Sequence, residues 1–288
     1  MKSQWDCIRQ NIGSWYGSFT QFDKNGEQVK DTPSVLTLEE TEPERKMQLT
    51  LKRTPSGEST NTVRRDFSAP GPAPYVYFFE NGSFSQGSSQ WAAFSQFGTE
   101  MSIKAGDRRA RFVVMYESTV EGTSRIKYVT LIRETRDEEK AFGGEERSLA
   151  PLQGGWKGQV KMLYASMAPL SKGDSEWRFE TSLLECCESF DESSLSVSLS
   201  SEEIDFAGGE PVALQGELPY KLMPLPNGTY CLIPQEIRKG EAFRVEVGWV
   251  RENGRLDKGE ERSRLIRYYD TQGVWTHAAL IEDERVEA

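Results

Sequence analysis

The chain has 288 residues, a formal net charge of -10 at neutral pH and a sequence pI near 5.0. This acidity argues against a nucleic-acid partner, whose binding needs lysine and arginine to neutralise phosphates, and it disfavours an anionic membrane surface for the same reason. No apolar run approaches the roughly 20 residues that span a bilayer, and the first residues lack the apolar core of a signal peptide.

In chain order, the first predicted element is a short helix over residues 3–12, which would cap a barrel with Trp5 and Ile8 facing inward. Strands follow, because apolar and polar residues alternate with period two in many segments, as they do around Met47, Leu49 and Leu51. Short strands joined by turn residues, without helices between them, indicate antiparallel meanders that close into barrels or pack as sandwiches. We therefore predict an all-β fold with a short N-terminal helix.

The motif Gly-x-Trp-x-Gly occurs twice, and four further landmarks follow each copy in the same order: a Pro-Tyr pair, an Asn-Gly turn, an Arg-x-Arg with a later Tyr-acid pair, and a Leu-Ile that leads to an acid. The first set occupies residues 13–17, 74–75, 81–84, 109–117 and 131–134, and the second occupies residues 154–158, 219–220, 227–230, 262–270 and 280–283. Five colinear matches predict two copies of one domain.

The length is sufficient for two domains, each with a core of its own. We assign residues 1–134 to a first barrel, 135–150 to a linker rich in charge and glycine, and 151–288 to a second barrel. The four cysteines occupy unmatched positions in the two copies, which argues against an inherited disulfide framework and predicts a reducing, cytoplasmic location.

A Gly-x-Trp at the start of the first strand, preceded by a short helix and followed by a meander, resembles the lipocalin, or calycin, signature. The tandem arrangement resembles the cyanobacterial lipocalin-like double-barrel proteins of unknown function. Their single-barrel relatives include the S-type phycobiliprotein lyases, which carry bilins. The resemblance implies two tandem antiparallel lipocalin-like barrels.

In lipocalins an arginine from a late strand covers the tryptophan. The resemblance therefore makes Trp15 and Trp156 structural anchors at the closed barrel ends, paired with Arg111 and Arg264 respectively. Arg133 is the alternative partner in the first barrel.

The Arg-x-Arg pairs allow two interpretations, because alternation along a strand puts both arginines of a pair on one face. An inward pair could dock a carboxylate, such as a fatty-acid head group or the propionates of a bilin. Alternatively, the pair is a solvated outer stripe, or one of its arginines covers the tryptophan, and this is the interpretation that we favour, since an inward arginine requires a buried counter-charge. The inward alternative makes Arg111, Arg133 and Arg264 candidate ligand-binding residues.

Trp91, Phe94 and Phe97 lie in a segment rich in serine and glutamine that could cover the mouth of the first barrel, and they complete the set of candidate ligand-binding residues. His277 is the only histidine, and we expect it to pack in a strand beside an aromatic ring. No catalytic residue and no metal site is predicted.

Three functions compete. The first is a non-enzymatic carrier of a small hydrophobic ligand, with or without a carboxylate, for which a tetrapyrrole (bilin) or a fatty acid is the candidate. The second is a protein-interaction or chaperone module with filled barrels, and the third is a bilin lyase-like activity, which rests on analogy of fold. Enzymatic activity stays open, although a binding protein is favoured. The partner is thus a small hydrophobic ligand or another protein.

Overall fold

A computed structural model describes residues 2–72, 76–139, 147, 154–164, 179–190, 197–198, 220–252 and 260–286. Within these ranges the chain is nearly all β, with one short helix, so the predicted fold class is confirmed. The elements of the first half are α1 (Gln4–Arg9), β1 (Gly13–Asp23), β2 (Gln28–Glu42), β3 (Lys46–Arg53), β4 (Asn61–Ser68), β5 (Val76–Phe78), β6 (Phe84–Gly87), β7 (Phe97–Ala105), β8 (Arg108–Ser118) and β9 (Ser124–Thr135). Those of the second half are β10 (Gly154–Tyr164), β11 (Phe179–Phe190), β12 (Val197–Ser198), β13 (Tyr220–Leu225), β14 (Thr229–Pro234), β15 (Glu236–Ile237), β16 (Phe243–Glu252), β17 (Glu260–Tyr269) and β18 (Trp275–Val286).

The chain divides into two compact units. The first unit comprises Met1–Ser88, Gln96–Tyr116 and Ile126–Gly144, and the second comprises Ser89–Ser95, Glu117–Arg125 and Glu145–Ala288. Two short segments of the first half therefore belong to the second unit. The linker predicted at residues 135–150 lies mostly outside the described residues.

The first unit is a curled antiparallel sheet with the strand order β4-β3-β2-β1-β9-β8-β7-β6-β5. Helix α1 begins at a capping box, in which the Ser3 side chain accepts from the Asp6 backbone N–H and the Asp6 carboxylate accepts from that of Ser3. Trp5 and Ile8 of the helix are buried against Leu38 of the sheet. The short N-terminal helix and its inward residues are confirmed, although the helix spans Gln4–Arg9 and not residues 3–12.

The second unit contains a sheet with the order β12-β11-β10-β18-β17-β16-β14-β13, again antiparallel. One buried cluster joins Trp156 to residues of the strands beyond β17, namely Leu222, Tyr230, Leu232 and Val250. A second cluster fills the same face farther along the strands with Val160, Met162, Ile266, Ala279 and Ile281. Cys231 of this unit and Cys7 of the first are buried free thiols.

The second glycine of each Gly-x-Trp-x-Gly motif is required by a close approach of two strands. A Cβ atom at Gly17 would lie 1.8 Å from the backbone oxygen of Arg133, and one at Gly158 would lie 2.0 Å from that of Glu282. Any side chain at these positions would force the strands apart. Gly17 pairs directly with Glu134.

The Asn-Gly landmarks form turns, but only the second has the geometry that the sequence predicts. There Asn227 and Gly228 both have positive φ, at 62° and 70°. In the first copy only Gly82 has positive φ, and the Asn81 side chain instead accepts the Ser83 N–H at 2.9 Å. Asparagine can support a turn by this side-chain bond without entering the left-handed region.

Candidate functional site

Trp15 lies in β1 under two guanidinium groups. The Arg109 guanidinium carbon is 4.3 Å from the centre of the indole, and that of Arg136 is 4.0 Å from it. The indole Nε1 donates to the backbone oxygen of Asn11 at 2.9 Å, so the ring is tied to the end of the helical segment. Trp15 is completely buried. Stacking on an indole is favourable for a guanidinium, and more so when water is excluded.

A buried carboxylate joins the two arginines of β8. Glu134 Oε2 accepts from Arg109 Nε at 2.5 Å and from Arg111 Nε at 2.9 Å, and Glu134 Oε1 accepts from Arg111 Nη2 at 3.0 Å. Burial by itself would raise the pKa of Glu134, but the charges of the two arginines outweigh burial and lower its pKa. The cluster is therefore held together as an ionised network.

A second carboxylate extends this network along the sheet. Glu100 of β7 accepts from Arg111 Nη1 at 2.9 Å through Oε1 and from Gln86 Nε2 at 2.6 Å through Oε2. Three guanidinium nitrogens of Arg111 thus bind carboxylates of the protein itself. This arrangement leaves little of the guanidinium for a ligand.

The second unit repeats this cluster, with an aspartate in place of the glutamate. Arg262 lies 4.3 Å over the indole of Trp156, and Arg285 lies 4.7 Å from it. Asp283 takes the place of Glu134 and accepts from Arg262 Nε at 3.0 Å and Nη2 at 2.8 Å. Arg264 approaches Asp283 Oδ2 to 3.5 Å.

Glu246 of the second unit occupies the same position relative to the Arg-x-Arg strand as Glu100 does in the first unit. Glu100 pairs with Val113, two residues after Arg111, and Glu246 pairs with Ile266, two residues after Arg264. The Glu246 carboxylate lies 3.7 Å from Arg264 Nη1 and 3.4 Å from Arg244 Nη2. Its contacts with cations are longer than those of Glu100.

These clusters correct two expectations from the sequence. The Arg-x-Arg pairs are not a solvated outer stripe, since all four arginines are buried; Glu134 and Asp283 supply the counter-charge that an inward arginine requires. One arginine of each pair does cover the tryptophan, but it is Arg109 or Arg262, the first of the pair, and not Arg111 or Arg264.

The other predicted site residues lie in separate places. Trp91 is buried, and its Nε1 donates to Ser124 Oγ at 2.9 Å, whereas Phe94 is 70% exposed; both belong to the second unit. Phe97 belongs to the first unit and packs edge-on against Tyr116 at 5.7 Å. Arg133 lines a surface groove of about 500 Å³ together with Tyr16 and Lys52, among other residues.

His277 stacks on Tyr268 with ring centres 4.3 Å apart, so the expected packing beside an aromatic ring is confirmed. Its Nδ1 lies 2.9 Å from Thr276 Oγ1. Burial lowers the pKa of His277 to about 4. The ring is neutral at physiological pH.

On the inward face of the first unit, the side chains toward the other end of β1 are less buried than those of the Trp15 cluster. Phe19 is half-buried and lies between two guanidinium groups, since Arg53 and Arg111 are each 5.6 Å from its ring centre. Arg53 is half-buried, and no carboxylate of the described residues contacts it. Leu51 and Val113 on the same face are also half-buried.

Sequence reasoning missed Arg136 and Arg285 as indole-stacking residues, although a signal was present. Each follows the matched acid by two residues, so extending the last landmark by two positions would have found both. Glu100 and Glu246 carry no such local signal, because their role depends on strand register.

The fold and the paired clusters define the class of this protein as an all-β protein with two curled antiparallel sheets, each with a tryptophan beneath a buried arginine. Residues 1–139 match the model for the N-terminal domain of the DUF3598 family, a domain of unknown function. Residues 145–286 match the C-terminal domain of biogenesis factor required for ATP synthase 1.

Two solved structures are similar to the chain. A protein of unknown function from the DUF3598 family of Nostoc punctiforme is 28% identical, over 99% of this chain and 100% of that one, with a TM-score of 0.74. The S-type phycobiliprotein lyase CpeS from Guillardia theta is 11% identical, over 45% of this chain and 90% of that one, with a TM-score of 0.33. No curated protein matches the chain. The expected resemblance to a family of unknown function is confirmed by the match to the DUF3598 domain.

In the part of the chain that the structure describes, no helix has both the length and the apolar composition needed to cross a membrane.

Proposed function

We propose that this protein is a non-enzymatic binding protein whose main partner is another protein, and that its C-terminal domain assists the assembly of an ATP synthase. The observation that carries the proposal is the match of residues 145–286 to the domain of an ATP synthase biogenesis factor. A match over almost the whole second half supports a common mode of action more than a short motif would.

The inward face of the second unit supports this proposal. Val160, Ile266 and Ile281 are almost completely buried on that face, just beyond the Trp156 cluster. Side chains of the protein therefore occupy the positions where a lipocalin-type ligand would lie. We therefore expect the second unit to bind a partner protein through its outer surface.

The test is binding of the full chain to purified subunits of the catalytic head of an ATP synthase, each alone and then together, measured by biolayer interferometry. We expect saturable binding to at least one subunit that persists in about 0.3 M salt, where exposed charge pairs more than a few ångströms apart are largely screened. An acidic protein of similar size and pI serves as the control. Failure of every subunit to bind, or equal binding of the control, would contradict the proposal.

A second function, a carrier of a small hydrophobic anion, is favoured by the open end of the first unit. Arg53 has no carboxylate partner among the described residues and lies across Phe19 from Arg111. An arginine in this setting can bind a carboxylate through two parallel hydrogen bonds. Half-buried apolar side chains beside it, such as Leu51 and Val63, would contact the tail of a fatty acid or the rings of a bilin.

The carrier function is tested by titrating the protein with a fluorescent fatty acid and, separately, with phycocyanobilin followed by its absorption spectrum. Arg53→Met should weaken binding about tenfold, because a charge-assisted pair is lost. Lys52→Met is the matched control, since Lys52 is the neighbouring cation on the opposite face of β3. Equal loss in both variants would refute docking at Arg53, and transfer of bound bilin to a phycobiliprotein would favour the lyase-like alternative.

A further inference from the structure

Strand β4 is one of the two end strands of the first sheet as the structure describes it. It pairs with β3 through eight register partners, from Lys46 with Ser68 to Arg53 with Asn61, and no other described strand pairs with it. Six of its eight residues are exposed, and only Val63 and Phe67 are half-buried. The outer edge of β4 thus presents backbone N–H and C=O groups to solvent, which is the template that an added strand needs.

This edge carries a local excess of positive charge. Lys52, Arg53, Arg64 and Arg65 lie on β3 and β4, and none of the four has an ion-pair partner among the described residues. The acid of β4, Asp66, accepts from Gln48 Nε2 at 3.0 Å. The chain as a whole has 45 acidic and 35 basic residues, so the positive charge of this edge is opposite in sign to the net charge of the protein. Arginines elsewhere, such as Arg9 and Arg125, do have carboxylate partners.

We propose that β4 binds an extended acidic segment of a partner protein by strand addition. The inference rests on the proposed role as a protein-binding factor and names the surface and the chemistry of its partner. In antiparallel addition, adjacent residues of the segment would lie opposite Arg65 and Arg64, and both should be acidic. The residues opposite Phe67 and Val63 share the face of Arg65 and should be apolar.

The expected partner sequence therefore reads apolar, polar, acidic, acidic, apolar. A second copy of β4 is a poor occupant, because an antiparallel pair centred on this edge would place Arg64 opposite Arg65. Like charges directly opposite each other destabilise a strand pair. The same charges protect the edge from self-pairing and select an acidic partner.

The test uses the full chain and a fluorescein-labelled peptide, Thr-Val-Thr-Glu-Glu-Val-Thr-Thr, with binding followed by fluorescence anisotropy. We expect saturable binding that weakens about tenfold in the double variant Arg64→Glu with Arg65→Glu, since two cross-strand attractions become repulsions. Lys30→Glu with Lys239→Glu is the matched control, because both residues are exposed, lack ion-pair partners and change the net charge equally. Circular dichroism verifies that both variants fold.

Two further peptides separate strand addition from general charge attraction. A peptide N-methylated at the alternate residues whose N–H groups would face β4 loses the ladder donors and should bind about tenfold more weakly, whereas methylation of the other set should have little effect. A peptide with Lys-Lys in place of Glu-Glu should bind the double variant better than the original protein. The proposal fails if the peptide shows no saturable binding, if N-methylation has no effect, or if the control variant loses as much affinity. None of these results would contradict the proposal that the C-terminal domain binds an ATP synthase subunit, because that proposal is tested separately.

Discussion

The two units build the same cluster at one end of their sheets and then differ a few residues farther along the strands. In both, a tryptophan lies under two arginines, and a buried acid pairs with one of them. Four residues after the tryptophan, the first unit has half-buried Phe19 beside Arg53, whereas the second has buried Val160 within an apolar cluster. We therefore expect the tryptophan–arginine–acid cluster to stabilise both units in the same way. The residues farther along the strands differ, and there we expect the functions of the two units to differ.

The acids of the two clusters should produce the largest effects on stability. Glu134→Gln would leave Arg109 and Arg111 buried with weakened compensation and should lower the free energy of unfolding by about 3–5 kcal/mol. Asp283→Asn should cost less, because Arg264 approaches Asp283 only to 3.5 Å. Urea denaturation followed by tryptophan fluorescence measures both variants. Equal losses would show that the clusters are energetically equivalent despite their different distances.

His277, which belongs to the second unit, should make that unit sensitive to acid. Its pKa is about 4 when folded and about 6.5 when unfolded, so the unfolded state binds more protons between these values. Stability should be complete above pH 6.5 and decrease by up to about 3 kcal/mol as the pH falls to 4.

The contribution of His277 is measured as the difference between the wild-type protein and His277→Phe in urea denaturation at pH 7 and at pH 4.5. The phenylalanine variant keeps the stack on Tyr268 and removes the titrating group. Parallel pH profiles for the two proteins would contradict this role of His277.

The glycines opposite the buried acids should be intolerant of a side chain in both units. Gly17→Ala and Gly158→Ala each place a Cβ atom about 2 Å from a backbone oxygen of the neighbouring strand. We expect losses of about 2–3 kcal/mol, since the strands must separate. Ser18→Ala, at the adjacent position on the other face of β1, should stay within about 0.5 kcal/mol. Thermal denaturation of the three variants is sufficient for this comparison.

Arg53 should contribute least to stability, in contrast to the cluster arginines. Arg53→Met removes a half-buried cation without a carboxylate partner and should change the free energy of unfolding by about 0.5 kcal/mol or less. Arg111→Met, in the same barrel face, should cost about 3 kcal/mol because it removes one cation that neutralises Glu134 and Glu100. A similar cost for both would mean that Arg53 is a structural residue, and the carrier function would lose its support.

Local residue patterns were sufficient for the all-β class, the short N-terminal helix and the strand alternation, because period-two burial and turn residues act over short distances. The sequence also located each tryptophan and each Arg-x-Arg. Which arginine stacks on the indole depends on how far β8 is shifted against β1, and parity alone cannot distinguish Arg109 from Arg111, since both lie on one face.

Only the tertiary structure decided that the arginines point inward and are paired with buried acids. From the sequence, an inward pair seemed too costly, because no counter-charge is adjacent to it in the chain. The acids come from other strands: Glu134 lies opposite Gly17, and Glu100 is brought to Arg111 by the register of β7 with β8. A strand pair places residues side by side that are separated by tens of positions in sequence, and the free energy of a buried charge is set by those neighbours.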